Sequence, residues 1–330
     1  MEQQSYAQEA FNILVIATVS AGKSTLVNTL FGCDLLPIAN EPTTAKIFCL
    51  KNCPQSIQPI CRAISFDEDH PIQENWENAT AKTLQGYNEL QCVDYVEIKA
   101  KAFSKAICRH KFSIYDVPGP NTHEYKQHKS YIYHVLDSVR INQILCIIDA
   151  TNANTLDEIS LLENCVFPYT QKNRDIDVIF ILNKVDKLDD EYDDSIQNII
   201  DKTRFRLESI GFVDPQIMPI MARYAFILRR IQAGATLTKK ERRDVNTLQQ
   251  RLPKRHNILL KYAQLDCNIK NELLSSLKYT RDEILHQHHD LGHALRIAFR
   301  KKTETFIQET CVPALERYID MRASRYESKQ

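Results

Sequence analysis

Three short stretches of this 330-residue chain carry side chains suited to handling phosphate and a purine base. The first is Ala17-Thr18-Val19-Ser20-Ala21-Gly22-Lys23-Ser24-Thr25, the pattern GxxxxGK[ST] with alanine in the first glycine position. In such a loop, backbone N–H groups and the N-terminus of the following helix converge on an anion, and the helix dipole favours negative charge there. Gly22 lets the backbone pass close to a phosphate without a side-chain clash. Lys23 has the reach for β- and γ-phosphates, and the Ser24 hydroxyl is a ligand for Mg²⁺. Its task toward phosphate predicts that Lys23 is held outward and adds nothing to the core. Ala17 weakens the pattern little, because that position makes a turn.

The second stretch, Phe112 to Gly119, reads as a strand ending in Asp116-Val117-Pro118-Gly119. Asp116 would hold a Mg²⁺-bound water at the strand's C-terminal end, where open α/β sheets bind ligands. Gly119 would offer an N–H to the γ-phosphate and the freedom to release it. The third stretch, Asn183-Lys184-Val185-Asp186, closes another apolar run. A carboxylate at Asp186 accepts from both N1–H and N2–H₂ of guanine, whereas adenine presents the wrong donor pattern, which favours GTP over ATP. Between them, the loop from Leu36 to Ala45 holds Thr43 and Thr44; Thr44 is the choice for a Mg²⁺ ligand that closes over the γ-phosphate, with Thr43 as fallback.

These groups need a scaffold that brings strand ends together. Phe11–Ala17, Lys46–Leu50, Val93–Ala100, Phe112–Asp116, Ile144–Asp149, Val178–Leu182 and Ile217–Met221 read as strands, several as continuous apolar runs typical of parallel strands buried on both faces. Ser24–Phe31, Leu156–Cys165 and Asp193–Ile210 read as helices between them. This alternation predicts an α/β fold, a mostly parallel sheet flanked by helices. Val93–Ala100 and Phe112–Asp116 leave no room for a crossover helix and are expected to pair antiparallel. Beyond Arg223 the pattern turns helical. The expected division is a nucleotide-binding core over 1–235 and a helical extension over 236–330 that completes or follows it.

Taken together, Ser20-Ala21-Gly22-Lys23-Ser24-Thr25, the Leu36-Pro37 to Thr43-Thr44 loop, Asp116-Val117-Pro118-Gly119-Pro120-Asn121 and Asn183-Lys184-Val185-Asp186 resemble the GTPase domain of the dynamin superfamily, bacterial dynamin-like proteins in particular. The likeness spans about residues 11–230. It implies a P-loop GTPase domain that binds GTP with Mg²⁺ and hydrolyses it to GDP and phosphate. Lys23, Thr44 and Gly119 would act at the γ-phosphate. Val19, Ser20, Ala21, Gly22, Lys23, Ser24, Thr25, Asp116, Gly119, Asn183, Lys184 and Asp186 would hold the nucleotide, with Mg²⁺ on Ser24, Thr44 and Asp116. It also implies a nucleotide-dependent homodimer through the nucleotide face that stimulates turnover, and a stalk-bearing or effector protein as a further partner. Departures are visible. Eukaryotic dynamins carry a water-orienting glutamine where this chain has Val19, and the guanine-capping loop, assigned to Pro219–Arg223, matches weakly. The ten residues before the first strand are too few for the neck helix, and no long stalk follows. Val19 keeps a rival reading open: a switch or scaffold that binds nucleotide with negligible turnover and recruits a partner through its helical tail.

Lys plus Arg and Asp plus Glu both number 42, so the net charge is zero, which disfavours a nucleic-acid-coating role. No apolar stretch is long enough for an integral membrane segment. The ten cysteines form no CxxC pair and read as reduced thiols in a cytoplasmic protein. The basic run from Arg223 to Lys261 reads as a solvated helix face, and the cluster His286, His288, His289 and His293 as a solvated helix end rather than a metal site. Trp76 and Tyr87 read as a small local core.

Overall fold

The computed structural model describes residues 10–36, 46–65, 75–118, 125–153, 155–188, 196–251, 258–275, 307 and 310–329. Its centre is a nine-stranded sheet in the order β4-β3-β5-β2-β6-β1-β7-β8-β9. The strands are β1 (Phe11–Ala17), β2 (Ile47–Asn52), β3 (Ile60–Ile64), β4 (Glu77–Asn78), β5 (Tyr95–Ala100), β6 (Phe112–Asp116), β7 (Gln143–Asp149), β8 (Asp177–Asn183) and β9 (Gln216–Ile220). All seven residues of β1 are buried, as its unbroken apolar run requires of a strand covered on both faces. β6, β1, β7, β8 and β9 are mutually parallel.

The ladder expected between Val93–Ala100 and Phe112–Asp116 is not what forms. β2 lies between β5 and β6, parallel to the first and antiparallel to the second. β5 and β6 therefore run in opposite directions without touching as a ladder, and β3 pairs antiparallel on the outer side of β5. The link between β5 and β6 is taken up by the one-turn helix α3 (Lys105–Cys108), which follows α1 (Lys23–Phe31) and α2 (Ala81–Glu89). Buried Tyr87 lies on α2, and half-buried Trp76 is stacked beneath Arg62 and Lys99, 4.8 and 4.0 Å from its ring centroid.

The remaining helices are α4 (Tyr125–Ser138), α5 (Leu156–Leu161), α6 (Phe167–Lys172), α7 (Ile196–Ile210), α8 (Ala222–Gln232), α9 (Lys239–Arg251), α10 (Ile258–Tyr262) and α11 (Val312–Glu327), with a further helical stretch over 267–275. α5 runs into α6 through a π turn at Leu162–Val166. The cause is Pro168, which has no N–H to give the carbonyl of Asn164. That carbonyl accepts the Tyr133 hydroxyl instead, at 2.9 Å.

α11 shares the core of the sheet. Arg229 of α8, 2% exposed, pairs with Glu316 of α11 at 2.7 Å and donates to the Thr29 carbonyl of α1. Arg229 thus departs from the solvated face expected of the basic run, whereas Lys239, Lys240, Arg242 and Arg243 are exposed. Asp320 accepts from Arg109 and faces His110 Nε2, each at 2.7 Å, and the Tyr318 hydroxyl donates to Asp177 at 3.0 Å. Tyr326 packs on Phe11. Phe11 and Asp177 start β1 and β8, and His110 lies two residues before β6, so α11 covers the N-terminal edge of the sheet.

Candidate nucleotide site

The opposite edge gathers the chemistry. Because β6, β1, β7 and β8 are parallel neighbours, their C-terminal residues Asp116, Ala17, Asp149 and Asn183 emerge side by side. The chain leaves β1 through a tight loop with Ser20 at φ 63° and Gly22 at φ 97°, and Gly22 caps α1. No side chain caps that helix and no acidic residue lies in its first turn. Its N-terminus therefore keeps the polarity that attracts anions.

Asn183 locks this loop in place. Its Nδ2 donates to the Ala21 carbonyl at 2.8 Å, and its Oδ1 accepts the Ala222 N–H at 3.1 Å. One buried amide thereby ties the phosphate loop to the start of α8, inside the Pro219–Arg223 segment that the sequence matched only weakly. A Cβ on Gly22 would drive into Asn183 Nδ2, well inside 3.0 Å. Glycine is required here by its left-handed φ and by this contact together.

Lys23 is more deeply set than its expected outward role suggests: it is 8% exposed, and its ammonium pairs with Asp116, which is fully buried. The reason is Asp116 itself, a carboxylate at 0% exposure that needs a cation beside it. Burial pushes the Asp116 carboxyl above the usual carboxylate range, and the Lys23 ammonium draws it part of the way back. Ser24 Oγ donates to Asp116 Oδ2 at 3.5 Å. A hydroxyl and a carboxylate are hard oxygen donors of the kind Mg²⁺ takes alongside phosphate oxygens and waters, so these residues fit that ion. Among the described residues, no group of three or more His, Cys, Asp or Glu side chains makes a separate all-protein metal site.

Lys184 follows Asn183 with φ 65° and leads into the one-turn helix Val185–Lys187 that bears Asp186. Its Nζ lies 2.5 Å from Asp149 Oδ2. Asp149 Oδ1 in turn accepts the Thr151 N–H at 3.0 Å and its hydroxyl at 2.7 Å. Partial burial would raise the Asp149 carboxyl, but hydrogen bonds from Lys184 and Thr151 outweigh it and hold it below its ordinary range. Val19 and Ser20 are exposed on the phosphate loop, and Thr25 is buried beneath it.

Thr43, Thr44, Gly119, Pro120 and Asn121 lie outside the described residues, as do His286, His288, His289 and His293. The approach to the threonine loop is described, and it shows a residue the sequence reading passed over. Asn28, fully buried on α1, donates from Nδ2 to the Leu36 carbonyl at 2.8 Å and accepts the N–H groups of Leu35 and Leu36 at 3.1 and 2.7 Å. The available signal was a lone amide amid Leu26, Val27, Leu30 and Phe31.

The fold and this edge define a P-loop nucleotide-binding α/β domain. The model of the dynamin family matches residues 13–185, just over half of the sequence, and the chain belongs to that family. It is 28% identical over 191 residues to the bacterial dynamin-like protein of Nostoc punctiforme, a stretch that covers 55% of this chain and 26% of that protein. Two solved structures of an oligomerised bacterial dynamin pair, described as sensing and tethering membranes over long range, resemble it with TM-scores of 0.51 and 0.50. Each is 16% identical and is matched over 99% of this chain, covering 50% and 44% of the solved chains. At that identity the likeness is one of fold. The chain spans about a quarter of the curated relative and half or less of these structures. Among the described residues, no helix is long and apolar enough to cross a membrane.

Proposed function

We propose that this chain binds GTP with Mg²⁺ and hydrolyses it to GDP and phosphate. The observation that carries the reading is Asn183, whose one side chain bonds both the phosphate loop and the start of α8, and which opens the Asn183-Lys184-Val185-Asp186 stretch read from the sequence as the base site. A phosphate site and a guanine site joined by hydrogen bonds suit a single guanine nucleotide. In this reading Lys23 exchanges Asp116 for β- and γ-phosphate oxygens. Ser24, Thr44 and Asp116 hold Mg²⁺, Asp116 through a bound water, and Gly119 gives its N–H to the γ-phosphate. Mg²⁺, when bound, neutralises charge that builds on the phosphate oxygens. Catalysis is then positioning and electrostatics, with no covalent intermediate.

Val19 has no group to orient the attacking water, so the closed loops need support from elsewhere. We infer that a second copy docks across the nucleotide face and orders them. Two exposed apolar side chains at this edge support that reading, Val19 on the phosphate loop and Leu156 at the start of α5. Val19 also favours the rival, a nucleotide-dependent scaffold with negligible turnover and a stalk-bearing or effector partner. One experiment separates them: GTP turnover per molecule over a dilution series, with sedimentation in GDP and in GDP with a γ-phosphate transition-state mimic. The proposal expects specific activity that rises with concentration and a dimer formed with the mimic alone. Activity absent at every concentration favours the scaffold, and constant activity from a monomer removes the dimer.

A further inference from the structure

We propose that Asp149 is a positioning residue for guanine-nucleotide binding that acts through Lys184; this rests on the guanine-nucleotide reading above. Asp149 and Asn183 are register partners at the ends of β7 and β8, and the Ala150 N–H bonds the Asn183 carbonyl at 2.9 Å. The next residue, Lys184, holds a left-handed φ of 65°, a conformation an L side chain keeps only where its surroundings impose it. Two anchors impose it: the ladder behind Asn183, and the 2.5 Å contact from Nζ to Asp149. Asp149 is itself pinned, since its second oxygen takes both the N–H and the hydroxyl of Thr151.

A lysine fixed at both ends is a different object from a lysine on a surface. Its four methylenes become a stationary apolar bar between two neighbouring strand ends, and its charge is already matched. The bar begins beside Asn183, which touches the phosphate loop, and precedes Asp186 by two residues. A flat purine ring gains apolar contact on such a stem. If the ammonium were loose, nucleotide binding would have to immobilise the side chain, at a cost in affinity. Asp149 does that ordering before the ligand arrives. Neither Asp149 nor Thr151 needs to touch the nucleotide.

The test is a double-mutant cycle on the full chain, Asp149→Asn, Lys184→Met and both, with dissociation constants for GDP and inosine diphosphate by calorimetry and nucleotide-free melting as a check on folding. Asparagine keeps the shape and the acceptor for Thr151 but loses the charge. Asp149→Asn is expected to weaken GDP about threefold to tenfold, the range for one side chain left to be ordered on binding. It should weaken inosine diphosphate by the same factor, because a stem under the ring is blind to the exocyclic amine. In the Lys184→Met background the substitution should change nothing further. An undiminished affinity, an equal loss in both backgrounds, or a loss confined to GDP overturns the proposal, the last by showing that Asp149 acts on Asp186 instead. Should Asp149→Asn not fold, Lys184→Met alone, which leaves the Asp149–Thr151 turn intact, carries the same prediction of equal loss for both nucleotides. A wild-type chain that binds neither nucleotide overturns the guanine-nucleotide reading itself, a result distinct from all of these.

Discussion

Gly22→Ala isolates the contact that joins the phosphate loop to the strand carrying Asn183. Two costs arise. An alanine held in the left-handed region at φ 97° loses roughly 1–2 kcal/mol. The new Cβ also collides with Asn183 Nδ2 and must displace an amide that bonds Ala21 and Ala222. Loss of those two bonds from a buried group adds roughly 2–3 kcal/mol. The sum is about 3–5 kcal/mol. An unfolding entropy of ~2.1 cal/mol/K per residue gives ~0.7 kcal/mol per degree for this length, hence a fall in Tm of roughly 4–7 °C. Thermal melting by circular dichroism measures it. The discriminating measurement repeats Gly22→Ala in an Asn183→Ala background, where the collision partner is gone. There the substitution should cost only its backbone part, roughly 1–2 kcal/mol, leaving a coupling of ~2–3 kcal/mol. Equal costs in the two backgrounds would refute the contact as the reason for glycine.

Asp186→Asn should weaken GDP and favour xanthosine diphosphate, because an amide presents the complementary donor to the xanthine edge; nucleotide titration reads the switch, and unchanged selectivity removes Asp186 from base recognition. Lys23→Ala should abolish nucleotide binding and also destabilise the fold by roughly 3–5 kcal/mol at neutral pH, since it strands a buried carboxylate. Burial already raises the Asp116 carboxyl, so without Lys23 that penalty applies above its folded pKa and fades as acid protonates it; Lys23→Ala with Asp116→Asn should recover most of the loss in denaturant titrations at pH 7. Glu97 is held below its ordinary range because Lys51 and Arg62 outweigh the effect of burial. Its stabilisation is therefore present above the unfolded glutamate pKa and lost as pH falls through the lower folded one, and Glu97→Gln should flatten the acid limb of the stability curve below the unfolded glutamate pKa.

The strands that carry the site were legible because their burial on both faces forces unbroken apolar runs. Phe11–Ala17 and Phe112–Asp116 form as read, β7 starts one residue earlier, β8 is one residue longer at each end, and β9 is shifted one residue toward the N-terminus. The phosphate-loop helix begins at Lys23 in place of Ser24. What escaped is built from polar residues with hidden partners. β3 carries Arg62 in its centre, which reads as a loop until Glu97 and Trp76 are seen beside it. The insertion of β2 between β5 and β6 is a long-range choice that no local spacing encodes. The helix read over Leu156–Cys165 continues as a π turn at Leu162–Val166 and then α6 through Lys172, past Pro168. At the site, the three motifs were legible as residue types, while Asn28 and the Asp149–Lys184 pair depend on neighbours distant in sequence.

The docking of α11 sets an order on how this protein comes into being. Every strand whose end gathers at the phosphate loop is complete by Asn183, but the helix that seals their far edge ends at Glu327. During synthesis the chain leaves the ribosome from its N-terminus, so β1 through β9 are outside while Arg229 still lacks Glu316 and Asp177 still lacks Tyr318. Through that interval apolar surface beneath the sheet faces water or a chaperone. Phe11 meets Tyr326 only once α11 has been made. A nascent chain halted before α11 has β1 through β9 but not the helix that seals their N-terminal edge, so the edge opposite the phosphate loop is completed after the loop itself is made.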